Sequence, residues 1–306
     1  MPEFSLAKKP GESIIKAYGK KHEGIEAVTT KTAAGETGRR LARIVLAGAW
    51  CCYIACGVFL CTFLRRGRSA VLCAAHWTKR WAAGTAALIG MKIDVIGDPG
   101  AAAGKLVVSN HTGYLDVLAE GALFPVRFAP QAEMRRWPFF GPFTALSRPV
   151  WVDRKNRSRS KETAREIAET LEMKLAMLVY PEGTSTDGRH GLLPFKSTAF
   201  EAAIEAGADL LPVLVFHEPA GGEAFDAAWH GNAAFLPHVK GVLGLKGIRT
   251  CVYIMPELSP RAGEDRKELA ARMHREMSDH YEKCLSDFLS RRGGERKAPA
   301  ADCVEK

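Results

Sequence analysis

Twenty-one consecutive residues without a charge, Ile44–Leu64 (IVLAGAWCCYIACGVFLCTFL), set the first limit on what this chain can fold into. As a helix the run spans roughly 31 Å, close to the hydrocarbon core of a bilayer. It starts too far from residue 1 for an ordinary cleaved leader. Arg39, Arg40 and Arg43 precede it, and Arg65, Arg66 and Arg68 follow it. Basic clusters on both sides give no orientation. A helix that dips in and returns would keep both clusters at an anionic membrane surface, whereas a single crossing would not. The next segment, Ser69–Met91, carries Trp77 and Trp81 beside Lys79 and Arg80, which suits a returning or interfacial helix. An ordinary buried helix is the plain alternative for both segments.

From Lys92 the texture changes to short apolar runs alternating with helical patterns. The strand candidates are Lys92–Ile96, Leu106–Ser109, Val126–Ala129, Val150–Val152, Leu175–Tyr180, Leu210–Phe216 and Thr250–Met255. The helix candidates are Tyr114–Leu123, Pro138–Leu146, Ser158–Met173 and Pro194–Ala206. This alternation predicts an α/β fold: a mixed, partly parallel sheet flanked by helices, preceded by a membrane-embedded helix or helical hairpin. The 306 residues divide into a polar arm (1–38, with a short helix near Ser13–Tyr18), membrane-embedded or interfacial helices (39–91), a main domain (92–260), an amphipathic helix (261–292) and a disordered tail (293–306). Gly221–Gly247 reads as an apolar, Gly-rich insertion, and the stripe Leu269, Met273, Met277, Tyr281, Leu285 and Leu289 as core packing.

Lys and Arg outnumber Asp and Glu by 43 to 34, which suggests a polyanionic partner. The basic residues flank the apolar helix rather than forming an aromatic-interleaved stripe, which argues for a membrane or a phosphorylated substrate and against nucleic acid. The eight cysteines include no C-x-x-C and no histidine at metal-ligand spacing. They read as small buried hydrophobes in a reducing compartment, with no metal and no disulfide framework.

Several motifs are excluded. Gly100–Lys105 is one residue short of a phosphate-binding loop and precedes a strand. There is no G-x-S-x-G elbow for a hydrolase serine and no G-x-G-x-x-G after the first strand. What remains is His111 and Asp116. With 9 histidines, chance alone gives about one such His-x4-acid spacing, so spacing decides little. Position says more: His111 follows an apolar strand, where open α/β sheets place ligand-binding residues. An aspartate on Nδ1–H would leave Nε2 free to deprotonate a hydroxyl. Tyr180-Pro181-Glu182-Gly183-Thr184 also follows a strand directly, and Arg154 closes the run Val150–Asp153. Glu182, Gly183 and Thr184 could equally form a plain turn, and Arg154 a structural ion pair.

Asn110-His111-Thr112-Gly113-Tyr114-Leu115-Asp116 resembles the first signature of the glycerolipid acyltransferases, which include 1-acylglycerol-3-phosphate acyltransferase. V-W-V-D-R, Y-P-E-G-T and Leu211-Pro212-Val213 resemble the second, third and fourth, in family order. The likeness runs from about Trp77 to Leu258. It implies that His111 deprotonates an acceptor hydroxyl, that Asp116 orients it, and that Arg154, Glu182, Gly183 and Thr184 line the head-group pocket. Asn110, Lys196 and Pro212 are further candidates. It also implies a thioester co-substrate, acyl-CoA or acyl carrier protein, with no cofactor. The acceptor would be a lysolipid at the cytoplasmic face of the membrane. Gln131 and Ser185 stand where relatives often carry basic residues, and Arg148-Pro149 replaces glycine-containing sequence. The resemblance implies 1-acyl-sn-glycerol-3-phosphate as the first acceptor, giving phosphatidic acid. The run Ser185-Thr186-Asp187-Gly188, Pro194-Phe195-Lys196 and the W-H-G insertion look closer to the lyso-ornithine-lipid and lysophosphatidylcholine branches, whose lysolipids are the alternative. A non-catalytic lipid-binding protein on the same fold is the alternative of another class.

Overall fold

The computed structural model describes residues 31–153 and 157–291. The expected helix near Ser13–Tyr18, Arg154, Cys303 and the tail from Gly293 lie outside them. The apolar run is the greater part of α1 (Lys31–Leu64), which extends N-terminally through residues read as polar arm. Two arginines later α2 (Gly67–Leu88) returns along it. Trp77 packs over Gly57 and Trp50 over Gly84, so the helices run in opposite directions at a spacing only glycine allows. Cys61 and Cys73, expected as separate thiols, face each other across the hairpin with Cα atoms 6.5 Å apart, a distance that a disulfide spans. The pairing depends on hairpin register, which spacing alone does not reveal.

The remaining elements build one six-stranded sheet. They are β1 (Met91–Ile96), β2 (Leu106–Ser109), α3 (Tyr114–Leu123), β3 (Val126–Phe128), α4 (Phe140–Leu146), α5 (Arg157–Glu172), β4 (Ala176–Val179), α6 (Thr198–Ala206), β5 (Leu210–Pro219), α7 (Phe235–Gly244), β6 (Ile248–Ile254) and α8 (Arg266–Ser290). The strand order is β1-β6-β5-β2-β4-β3. Only β5 and β6 pair antiparallel; every other pair is parallel. The predicted mixed, partly parallel sheet is therefore observed.

Alternate residues of each strand enter opposite cores, as the two-residue period of a strand requires. Leu106, Val108, Met177, Leu210, Leu214 and Tyr253 meet α5, α6 and α8 on one face. Val107, Leu178, Leu211, Val213 and Val252 meet α2, α3 and α7 on the other. With both faces covered, the strands read as continuous apolar runs rather than alternating ones. On α8 the buried residues are Leu269, Ala270, Met273, Met277, Tyr281, Cys284 and Phe288. Leu285 and Leu289 are only partly buried, because a strict four-residue repeat drifts off the face of a 3.6-residue helix.

Val150–Val152 is not a strand. Val152 makes a single bridge to Gln131, and the Val150 amide donates to the carbonyl of Phe128, the last residue of β3. Pro130 and Pro149 on either side cannot donate to a longer ladder.

The hairpin is tied to the sheet domain at both ends. Arg39 and Arg43 donate to the carbonyls of Gly244, Leu243 and Leu245, and Arg40 to Lys240 O, on the last turn of α7 and just beyond it. Arg68 donates to Met173 O after α5, and Lys79 to Leu123 O at the end of α3. These carbonyls are the unsatisfied acceptors of helix C-termini, where cations are favoured. The outward side of α1 carries Leu41, Ile44, Val45, Leu46, Phe59, Leu60, Phe63 and Leu64, all more than half exposed. Within the described residues it is the one helix long and apolar enough to cross a membrane.

Candidate active site

β2 and β4 are parallel neighbours, so the segments that follow them emerge side by side at the same sheet edge. That adjacency brings His111 and the Tyr180–Thr184 turn together. Asn110 closes the end of β2 by bridging to β5: its side chain accepts from Val215 N at 2.7 Å and donates to Val215 O at 3.0 Å. It holds the turn and does not face solvent.

After Asn110 the chain must reverse into α3 within a few residues. Gly113 makes this possible with φ +146, a conformation closed to L side chains, and with Trp229 too near to admit a Cβ comfortably. Asp116, on the first turn of α3, folds back over this bend. Its Oδ2 accepts from Thr112 N (2.6 Å), Gly113 N (2.9 Å) and His111 Nδ1 (2.8 Å). Its Oδ1 accepts from Thr112 Oγ1 (2.6 Å) and His217 Nε2 (2.8 Å). The carboxylate thus satisfies helix-start amides and fixes the imidazole at once. Burial would raise its pKa, but the hydrogen bonds from His111 and His217 outweigh burial and hold it well below the usual carboxylate range.

His111 is held from three sides. Its ring stacks on Tyr180 with centroids 4.1 Å apart, its backbone amide donates to Glu182 Oε1, and its carbonyl accepts from Thr186 N. Its side chain is about a quarter exposed, and Nε2 has no partner among the described residues. No serine or cysteine is hydrogen-bonded to the ring within those residues. The arrangement can take a proton from an incoming hydroxyl, and it supplies no nucleophile of its own.

Glu182 sits where sequence placed it but with both oxygens engaged by backbone: Oε1 by His111 N and Oε2 by Leu193 N, each at 2.9 Å. Burial raises its pKa, and the two amides offset part of that. It clasps the His111 turn to the loop before α6. Gly183 has φ +75 and lies under the Lys196 side chain, so the two form one edge of the site, with exposed Thr184 next to them. Pro212 is not brought there. It lies inside β5 opposite Val108, and its carbonyl accepts from Met255 N. Arg154 falls outside the described residues.

Sequence reading missed three participants. His217, at the end of β5, is buried against Asp116. Tyr180 supplies the stacking face under His111 and donates to Glu120 Oε2 at 2.7 Å. Glu120 lies one turn after Asp116, fully buried, and its Oε1 has no hydrogen-bond partner. Burial first, then the Asp116 charge, push Glu120 up to about 8. Its folded value lies above its unfolded one. The stability it gives is therefore complete below the ordinary carboxylate range and is lost as pH rises toward 8. Against Glu120→Gln, the wild type should lose relative thermal stability from about pH 4.5 to 8, measured as unfolding midpoints in detergent. Parallel curves would show that Glu120 is ionised in the fold.

The 221–247 segment covers the other side of the turn. Trp229 N donates to Thr112 O, and Tyr114 Oη pairs with His238 Nδ1 at 2.9 Å. Phe235 at the start of α7 meets the rings of Tyr114, Trp137, Phe140 and Trp229. An aromatic wall therefore stands beside His111.

Residues 92–215 match the Acyltransferase family. A lyso-ornithine lipid O-acyltransferase of Brucella abortus is 34% identical over 201 residues, covering 61% of this chain and 75% of that protein. A 1-acyl-sn-glycerol-3-phosphate acyltransferase of Neisseria gonorrhoeae is 35% identical over 112 residues, 37% of this chain and 44% of that one. The crystal structure of the 1-acyl-sn-glycerophosphate acyltransferase PlsC from Thermotoga maritima aligns with a TM-score of 0.55 at 19% identity, over 81% of this chain and 98% of that one. The shared architecture, the strand-end His-x4-Asp pair and the extent of these likenesses agree: the chain belongs to the acyltransferase family.

Proposed function

We propose that this protein transfers a fatty acyl group from a thioester to the free hydroxyl of a lysolipid, with His111 as general base. The observation that carries the proposal is the His111 ring: Nδ1 tied to a buried, ionised Asp116 and Nε2 open at the sheet edge. With hydrogen on Nδ1, Nε2 takes the proton of the acceptor hydroxyl. The oxygen attacks the thioester carbonyl, the tetrahedral adduct collapses, and the departing thiolate takes the proton back from His111. Asp116 stays ionised and stabilises the imidazolium that forms in between. The donor is acyl-CoA or an acyl carrier protein thioester, and no cofactor enters. Gly183, Thr184 and Lys196 flank the head group, with Arg154 added from the resemblance. Phe235 and Trp229 line the acyl side.

The outward apolar face of α1 supports membrane association, and the ties at both ends of the hairpin support a helix that dips in and returns on the cytoplasmic face. High salt screens surface charge but not apolar burial. Detergent should therefore release the protein from membranes, and salt should not. Tags placed before Ile44 and after Leu64 should both be accessible from the cytoplasmic side alone; labelling of either from the other side would establish a true span.

For the acceptor, the first reading is 1-acyl-sn-glycerol-3-phosphate. The second, a lyso-ornithine lipid, is favoured by the greater span of likeness: that class of relative is matched over 75% of the Brucella protein and 82% of one from Rhizobium meliloti. Gln131 and Ser185 stand where the phosphate readers often place basic groups. Each charge-assisted contact is worth roughly 1.5–3 kcal/mol, so two such losses would shift preference well over tenfold. The test is kcat/KM for the two lysolipids and lysophosphatidylcholine, in wild type and Gln131→Lys. With the phosphate acceptor, the wild type prefers it and the substitution changes little. With another acceptor, that lysolipid leads and Gln131→Lys moves preference toward the phosphate. Turnover of none of the three would reject the proposed function.

A further inference from the structure

Asp116 receives five hydrogen bonds, and four come from residues next to it in sequence: His111 Nδ1, Thr112 N, Thr112 Oγ1 and Gly113 N. These share one turn and move with it. The fifth comes from the centre of the sheet. His217 lies on β5 directly across the antiparallel ladder from Thr250 on β6. Its Nδ1 is 2.8 Å from Thr250 Oγ1, and its Nε2 is 2.8 Å from Asp116 Oδ1. Both side chains are almost wholly buried.

The geometry sets the hydrogen positions. Asp116 Oδ1 only accepts, so His217 Nε2 carries hydrogen, and in the neutral ring the Thr250 hydroxyl donates to Nδ1. A buried imidazole satisfied at both nitrogens is a rigid strut. It links the catalytic carboxylate to the β5–β6 ladder, which does not move with the His111 turn.

We propose that His217 is a positioning residue for acyl transfer, fixing Asp116 from the sheet and, through it, the aim and basicity of His111. The inference rests on the function proposed above. Two consequences follow from a donor on Oδ1. First, the carboxylate cannot rotate away with the turn, so Nε2 of His111 stays where an acceptor hydroxyl must arrive. Displacement of a catalytic group by about 1 Å can cost about 10²-fold. Second, a hydrogen bond to Oδ1 draws charge from the oxygen that faces His111. Removing it strengthens the attraction of Asp116 for the imidazolium and moves the acid limb of the rate profile to higher pH. The other titratable groups around this unit are Glu120 and Tyr114 on α3, with Tyr180 and Glu182 after β4. All four are unchanged in the variants below.

The test uses the full chain in detergent micelles with a lysolipid that the wild type turns over. His217→Leu should lower kcat by roughly 10–100-fold, leave both KM values near wild type and shift the acid limb of kcat/KM upward. His217→Gln, whose amide can donate from about the same place, should recover most of kcat and the original profile. In a His111→Ala background, His217→Leu should add no further loss. If His217→Leu does not fold, Thr250→Val, which frees the far side of the ring, should give a smaller kcat loss and a restored profile is not expected. Wild-type kcat and pH profile in both His217 variants would overturn the inference. So would a loss confined to KM, or one that follows the folded fraction alone. A wild-type protein that transfers no acyl group rejects the proposed function instead, and His111→Ala separates the two.

Discussion

Replacing His111 by alanine is expected to lower acyl transfer by about 10²–10⁴-fold while the protein remains folded. The ring is partly exposed and stacks on Tyr180. Its backbone contacts to Glu182 and Thr186 survive the substitution. Removal also leaves Asp116 with four of its five donors. The unfolding midpoint should therefore stay within a few degrees of wild type. The measurements are single-turnover transfer of a labelled acyl group and thermal unfolding in the same detergent. Retained transfer would sink the base mechanism, and loss of folding together with activity would make His111 a packing residue.

Asp116→Ala is expected to behave differently, losing the fold as well as the activity. The carboxylate is fully buried, and its removal strands two backbone amides, the Thr112 hydroxyl and His217 Nε2. Breaking a buried charge pair typically costs about 3–5 kcal/mol. Asp116→Asn should be milder for stability, because one carbonyl oxygen remains. It should still lose most turnover, since the amide NH2 accepts no hydrogen bond and so forfeits either the His111 or the His217 contact, and the neutral amide no longer stabilises the imidazolium. The wild type has a matching pH dependence. The folded pKa of Asp116 is depressed, so its contribution is present above the ordinary carboxylate range and is lost as pH falls below it. Thermal unfolding of the three proteins from neutral pH into acid checks this. An alanine variant as stable as wild type would show that the network contributes nothing to the fold.

How much of this could be read from sequence depended on range. β2 and α3 were legible to the residue, because the run Leu106-Val107-Val108-Ser109 is followed by a turn glycine and a short apolar helix. The His111–Asp116 contact was legible for the same reason: both ends belong to one turn. His217 was not, because it lies 101 residues from Asp116 and meets it only through the β2–β5 pairing. The available signal was faint: a His-Glu pair ending an otherwise apolar run in Leu210–Pro219. Glu182 was read as facing substrate because its neighbours matched a motif. That its oxygens close on backbone amides depends on where Leu193 returns. Within Gly221–Gly247, the helix α7 was missed because Pro237, Gly241 and Gly244 all argue against one.

The exposed stripe of α1 lies on the same body as His111. An acceptor drawn from a leaflet against that stripe never has to enter water. Its supply is then set by its mole fraction among the surrounding lipids and by sideways diffusion, not by its bulk concentration. Diluting the acceptor with inert lipid at constant total amount would slow such an enzyme, whereas adding more of the same mixture would not speed it once all of it is bound.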